Sequence, residues 1–313
     1  MTAPALLFSI PEYRPMADQL CRLGGLEGGD LETRDFPDGE RYLRLRTAVA
    51  GRRVVILGGT VDDGATLAVY DLAYAVVRAG ALSLTLVVPY FAYSTMERAE
   101  KDGEVVTAKS RARLLSSIPE AHHGNRVVLL DLHNPGLPHY FEGELTPVHR
   151  SARDIVLREA RRLAEGEPFV VACTDAGRAK WVESLANDLG TTAAFVFKRR
   201  QDGGGTQVTA VSADVAGRPV IIYDDMIRTG GSLVGAARAY WDAGATRIAA
   251  IATHGIFPGE ALKRLRSSGL FTQIVCTDSH PRARGLADGD FLRVEPVAAT
   301  LHPAICASAP SHD

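Results

Sequence analysis

Runs of apolar residues rich in Val, Ile, Leu and Ala recur along the chain at 54–57, 84–88, 127–130, 169–172, 193–197, 220–223 and 248–252. The runs are largely continuous rather than alternating, which predicts strands covered on both faces, as in a parallel sheet. Between several of them lie helix-length segments, at 66–79, 152–164, 181–189 and 232–243. Strand and helix in repeated alternation predict an α/β protein whose mainly parallel sheets are flanked by helices. The stretch 144–151, ELTPVHRS, lacks a strong period and falls near the middle of the chain. We therefore expect two α/β domains, 1–148 and 149–313. No internal repeat relates the halves, and the polar tail at 308–313 is expected to fray.

Composition narrows the partners. The chain has 313 residues, 46% hydrophobic and 23% charged, with a net charge of −2. That length suffices for a sizeable core, and the charge gives no electrostatic footprint for nucleic acid or an anionic membrane surface. The cysteines Cys21, Cys173, Cys276 and Cys306 are widely spaced and form no CxxC pair. A disulfide framework or zinc site is not expected, and the two in apolar runs read as buried thiols. No apolar run reaches the ~18 residues of a membrane span. No basic segment precedes the short N-terminal apolar run, so the cytoplasm is the expected location.

The densest chemistry lies in VIIYDDMIRTGGS, residues 220–232. In an open α/β sheet, ligands sit beyond the carboxyl ends of the strands. Asp224 and Asp225 fall at such an end, and Thr229, Gly230, Gly231 and Ser232 open the following helix. Glycines let backbone amides approach a phosphate, and a helix N-terminus favours negative charge. Two carboxylates beside an anion cradle repel the ligand unless something neutral or cationic lies between. A ribose meets both demands, its vicinal hydroxyls donating to the acids while its 5′-phosphate rests on the loop. Mg²⁺ bound by those hydroxyls fits too. A solvated strand end before a capped helix is the alternative for an isolated TGGS. His133 follows another apolar run, where a neutral imidazole can bind Mg²⁺ or contact phosphate, with Asp131 to orient it. The basic run at Lys198 and Arg200 precedes Gln201-Asp202-Gly203-Gly204-Gly205, a segment suited to closing over a ligand.

In chain order the landmarks are FPDGE (36–40), PYFAY (89–93), TAK (107–109), DLH (131–133), TDAG (174–177), FKRR (197–200), DDMIRTGGS (224–232) and THGIFPG (253–259). In their order and approximate spacing they resemble the ribose-phosphate pyrophosphokinase (phosphoribosyl pyrophosphate synthetase) family, and cover nearly the whole chain. The resemblance implies two domains of the type I phosphoribosyltransferase-like fold. It implies Mg²⁺-dependent transfer of the β,γ-pyrophosphoryl group of ATP to the 1-hydroxyl of ribose 5-phosphate, releasing AMP. By the same resemblance Lys198, Arg200 and His133 act in catalysis, and His133 and Asp175 lie near the metal. Phe36, Asp38 and Glu40 meet ATP, with Phe36 stacking on adenine, and Asp224, Asp225, Arg228, Thr229, Gly230, Gly231 and Ser232 hold the ribose phosphate. The FPDGE loop would reach across a subunit interface, so a homo-oligomer (dimer or hexamer) is implied. Read alone, Pro37-Asp38-Gly39 is a hairpin turn.

This chain departs from the family pattern at four places. Thr95-Met96-Glu97-Arg98 replaces an Arg-Gln pair that helps hold ATP, with Arg98 a substitute from a neighbouring position. Arg178 replaces a glycine after TDAG, either restricting the loop or adding a cation for phosphate. Asn134 to His139 replaces a more polar run. Arg228 replaces an aspartate, a sign change worth about 4 kcal/mol per charge pair at ~4 Å and an effective dielectric near 20. Arg228 is placed to neutralise the acidic pair or to receive a further anionic group, as on ADP-ribose. Two other classes compete with the enzyme: a silent regulatory homologue, and a phosphoribosyltransferase that joins a base to the sugar.

Overall fold

The computed structural model describes residues 3–200 and 206–307, with backbone alone at 198–200 and 206–209. The chain divides into two compact units, Met1–Ser151 together with Pro296–Asp313, and Ala152–Glu295. Among the described residues no helix is long and apolar enough to cross a membrane.

The first unit contains β1 (Ala5–Ser9), α1 (Arg14–Arg22), β2 (Leu26–Gly28), β3 (Leu31–Asp35), β4 (Arg41–Leu45), β5 (Arg53–Leu57), α2 (Asp63–Arg78), β6 (Ser83–Val88), α3 (Thr107–Ser116), β7 (Asn125–Leu130) and β8 (Leu145–Arg150). Its main sheet has the order β2-β1-β5-β6-β7-β8, with every pairing parallel. The N-terminal run ALLFS is a strand of this sheet and is buried from Ala5 to Phe8. Helix α2 starts where the Asp62 side chain accepts the Ala65 amide at 2.7 Å, satisfying one of the donors that a helix start leaves open. Its buried stripe, Ala65, Ala68, Val69, Leu72, Ala73 and Val76, keeps the three-and-four spacing of a one-faced helix. Strands β3 and β4 pair antiparallel as a separate two-stranded ribbon.

The segment from 296 onward was expected in the second domain but belongs to this unit. Its helix, Ala298–Cys306, packs on α1, β7 and β8. Leu301 is fully buried there, and Arg126 donates to the Ile305 carbonyl at 2.7 Å. The boundary falls at Ser151/Ala152, because β8 runs through most of the stretch that carried no clear period.

The second unit contains α4 (Arg153–Ala164), β9 (Val170–Cys173), α5 (Ala179–Leu189), β10 (Thr192–Arg200), β11 (Thr206–Val211), β12 (Pro219–Ile227), α6 (Gly231–Asp242), β13 (Arg247–Gly255), α7 (Ala261–Ser267), β14 (Ile274–Thr277), α8 (Pro281–Leu286) and β15 (Leu292–Glu295). The sheet order is β11-β10-β9-β12-β13-β14-β15, with only β11 antiparallel. Alternate residues of each central strand feed opposite cores. Val170, Val220, Ile222 and Ile248 pack with Leu233, Ala236 and Tyr240 of α6. Val171, Ile221, Tyr223 and Ile251 pack with Val156, Leu163, Val182 and Leu185. Burial on both faces explains why the sequence showed continuous apolar runs here. Cys173 and Cys276 are buried free thiols, and burial pushes Cys173 up to about 12.

Candidate functional site

From β9 the chain moves outward through β10 and β11, then returns to β12 on the other side of β9. Reversal of strand order opens a crevice at the carboxyl ends of the two strands at the switch. Register fills it. Tyr223 lies opposite Cys173, which puts the segment after β9, Thr174 to Arg178, level with Asp224 and Asp225. Strand β12 continues to Ile227, so the acids lie within its carboxyl end rather than beyond it.

The two carboxylates are held differently. Asp224 accepts the Thr174 hydroxyl on Oδ2 at 3.0 Å and the Asp225 amide on Oδ1 at 3.0 Å. It is half-buried, whereas Asp225 is buried at 3% exposure. Asp225 pairs through Oδ1 with Nη2 of Arg178 at 2.7 Å. Burial, then the charge of Asp225, pushes the Asp224 carboxyl well above the usual carboxylate range, with Arg178 and Thr174 pulling it back. The expectation that Arg228 neutralises the acids is overturned. Arg228 is exposed and makes no ion pair among the described residues, because β12 has ended before it and Arg178 already occupies Asp225.

Beyond β12 the loop turns into α6 at Gly230, which caps the helix with φ +79° and no side-chain bond. A side chain there is excluded twice, by that φ and by Leu265, which a Cβ would approach to 2.9 Å. The first-turn amides of an α-helix have no partner within it. No side chain caps them here, and Thr229, Gly231 and Ser232 are exposed. Arg264 of α7 donates to the Thr229 carbonyl at 3.3 Å, a second guanidinium against this loop that its exposed helical position gave no reason to select from sequence.

On the other side of the crevice, Asp175 starts the short turn Ala176–Arg178 by accepting the Gly177 amide at 2.9 Å. Trp181 stacks on Tyr223 with ring centroids 3.8 Å apart. The backbone of Lys198 and Arg200 is the end of β10, and their side chains lie outside the description, as does the segment 201–205 expected to close over a ligand.

In the first unit, His133 follows β7 and is half-buried. Asp131, two residues before it, has φ +34° and donates its amide to Arg150. Asn134 donates to Glu97 Oε1 at 3.1 Å and Tyr140 donates to the Glu97 carbonyl at 2.5 Å, so DLH and the 95–98 loop are tied together. Arg98 is mostly exposed and lies 3.7 Å from Glu97 and 3.4 Å from Glu100. Phe36, Asp38 and Glu40 form the exposed turn of the β3–β4 ribbon. There the Glu40 amide donates to Asp38 at 3.1 Å, Gly39 has φ +94°, and Arg34 lies over the Phe36 ring.

Among the described residues no three His, Cys, Asp or Glu side chains converge on a metal-binding arrangement. Mg²⁺ bound through one or two protein ligands and substrate phosphates requires no such cluster, and the chemistry of Asp175 and of His133, each taken singly, fits that mode. Asp225, committed to Arg178, does not.

Parallel α/β units with a glycine-turned helix start at the carboxyl end of a strand agree with the phosphoribosyltransferase-like class, to which the structural match given below assigns the fold. Residues 5–118 match the N-terminal domain of ribose phosphate pyrophosphokinase, and residues 170–295 match the phosphoribosyl synthetase-associated domain. Ribose-phosphate pyrophosphokinase of Aquifex aeolicus is 31% identical over 272 residues, 86% of this chain and 85% of that protein. The protein of the same name from Caldanaerobacter subterraneus is 32% identical over 269 residues, covering 85% and 83%. The phosphoribosylpyrophosphate synthetase structure from Mycobacterium smegmatis superposes with a TM-score of 0.85 at 25% identity, over 97% of this chain and 98% of that one. The chain therefore belongs to the ribose-phosphate pyrophosphokinase family, and is an enzyme of that transferase type.

Proposed function

We propose that the protein transfers the β,γ-pyrophosphoryl group of ATP to ribose 5-phosphate, forming phosphoribosyl pyrophosphate and AMP. The observation that carries this reading is Asp224 and Asp225 at the switch crevice beside the uncapped start of α6. A ribose hydroxyl donates to Asp224 of the acidic pair, and the amides and hydroxyls of Thr229 to Ser232 take the 5′-phosphate. The 1-hydroxyl oxygen attacks the β-phosphorus, the bond from that phosphorus to the α,β-bridging oxygen breaks, AMP departs and the hydroxyl proton is released. Lys198 and Arg200 stabilise charge on the transferred group, and Phe36, Asp38, Glu40 and Arg98 hold ATP. His133 and Asp175, with phosphate oxygens, would hold Mg²⁺, which supplies neutralisation of the phosphate charge. A homo-oligomer in the cytoplasm is part of the proposal, the exposed FPDGE turn being free to meet a second copy.

The test is AMP release with ATP, Mg²⁺ and ribose 5-phosphate. Release must depend on the sugar phosphate, and Lys198→Ala should lower kcat by roughly 10²–10³ while ribose 5-phosphate still binds. Release of pyrophosphate on adding a base to activated sugar would instead mark base transfer. An inactive protein that alters an active homologue would mark a regulatory one. A second reading has its own support: Arg228 is exposed with no ion pair among the described residues, and Arg264 touches the same loop. These cations suit an acceptor with a further anionic group, such as ADP-ribose. AMP release with ribose 5-phosphate but with no larger phosphorylated riboside removes that reading.

A further inference from the structure

We propose that Arg178 is a resident cation of the ribose site, which offsets the charge of the acidic pair so that the sugar phosphate binds there without a divalent ion on the sugar side. The proposal rests on the reading that Asp224 and Asp225 face a ribose.

Two carboxylates in one crevice carry a charge that a phosphorylated sugar, itself an anion, cannot meet. Three remedies exist: a bound divalent ion, proton uptake, or a fixed side-chain cation. The third is built here. Arg178 lies 2.7 Å from Asp225, with side-chain exposures of 19% and 4%, so this ion pair is largely withdrawn from water. Such a pair is short and charge-assisted, and it is costly to break one-sidedly. Its geometry is fixed from both ends. Asp225 lies in β12 between Asp224 and Met226, which pair with Ala252 and His254 of β13. Arg178 ends the short turn after Asp175 and caps α5, an eleven-residue helix that packs on β9 and β10.

The division of labour between the acids follows. Asp225 is committed to the guanidinium, whereas Asp224 is held by the neutral Thr174 hydroxyl and a backbone amide. Asp224 is also the one that keeps solvent exposure. It is therefore the acid presented to a sugar hydroxyl, and the site offers the ligand one carboxylate without a guanidinium contact instead of two. A divalent ion on the sugar side would add charge next to a fixed cation that already holds Oδ1 of Asp225. Arg178 acts through Asp225 and is a positioning residue.

The experiment measures binding, independent of turnover. Trp181 stacks on Tyr223, the residue before Asp224, and the only other tryptophan is Trp241. Fluorescence in a Trp241→Phe background, checked by calorimetry, follows ribose 5-phosphate binding to the full chain in EDTA and in millimolar Mg²⁺. The expected result is wild-type affinity that changes by less than about threefold between the two conditions. Arg178→Gln should lose roughly 30-fold in EDTA, the loss typical of truncating one member of a buried charge pair. Mg²⁺ should restore most of it, and Arg178→Lys should keep metal-free binding.

Wild-type binding that requires Mg²⁺ overturns the proposal and leaves the pyrophosphokinase reading standing. That arm needs no variant to fold. Absence of binding in both conditions overturns both. Arg178→Gln binding as tightly as wild type in EDTA overturns the proposal, as does a loss that Mg²⁺ does not repair, which would mark a purely structural role.

Discussion

Asp224 accepts from Thr174 and from the Asp225 amide, but neither donor is charged and its neighbour in the chain is another carboxylate. Its pKa is pushed up to about 7 by burial first and by Asp225 second. The sign of the linkage follows. A carboxyl whose folded pKa lies above its unfolded value favours the fold fully below the unfolded value, about 3.9, and loses that contribution as pH rises through the folded one. Asp224→Asn removes this penalty. The variant should therefore melt higher than wild type near pH 8, with a difference that shrinks as pH falls toward 4. Each 1 kcal/mol relieved corresponds to roughly 2–4 °C in a unit of this size. The same variant should lose ribose 5-phosphate binding, so stability and function move in opposite directions at one residue. Thermal melts across pH check the first part and calorimetry the second. Gly230 works the other way. Its φ of +79° and the Leu265 side chain behind it leave no space for a methyl group. Gly230→Ala should lower Tm and weaken ribose 5-phosphate binding together, whereas Gly231→Ala, with open space around it, should leave Tm unchanged.

At the scale of elements, the long strands were legible because burial on both faces removes alternation and leaves an unbroken apolar run. β5, β6, β7, β12 and β13 are read in this way. β14, IVCT, has only three apolar residues in a row, and β15, LRVE, is interrupted by Arg293 and Glu295, so neither leaves an unbroken run. The FPDGE turn was legible for a local reason, since Pro37-Asp38-Gly39 suits a tight turn and Gly39 takes φ +94° there. What did not show was register and destination. Nothing local in TDAGR says that Arg178 will face Asp225, because that contact comes from the pairing of β9 with β12. Nor does the apolar face of Ala298–Cys306 carry an address, and its Pro303 weakens the helical pattern itself. Leu301 on that helix is fully buried. Leu301→Ala should cost about 2–5 kcal/mol by leaving a cavity in the first unit, read from denaturant unfolding. On the ribbon, Phe36→Ala should raise the KM for ATP and leave ribose 5-phosphate affinity untouched, which a split of the two binding curves would display.

At the scale of the molecule, the two units differ in how the chain builds them. The second, Ala152–Glu295, is one continuous stretch that holds its entire seven-stranded sheet, the acidic pair, Arg178 and the α6 loop. The first is discontinuous and closes only when residues from 296 onward return to it. A fragment of residues 152–295 therefore has its own core and every proposed contact to ribose 5-phosphate within the sheet, although it lacks His133 and the FPDGE turn. It should fold cooperatively, bind ribose 5-phosphate and produce no AMP. A ligand at 100 times its Kd stabilises the state it binds by about 2.7 kcal/mol, which here corresponds to a Tm increase of roughly 5–10 °C. A chain ending at Glu295 makes the converse case. It keeps the second unit whole but withdraws Leu301 and the Ile305 carbonyl from the first, leaving Arg126 without that acceptor. Its melt should show a weakened transition that ribose 5-phosphate does not move, beside a second that the ligand raises as it does in the fragment. A single transition lowered throughout, with ligand shifting all of it, would mean that the two units unfold as one and that sequence continuity does not set their independence.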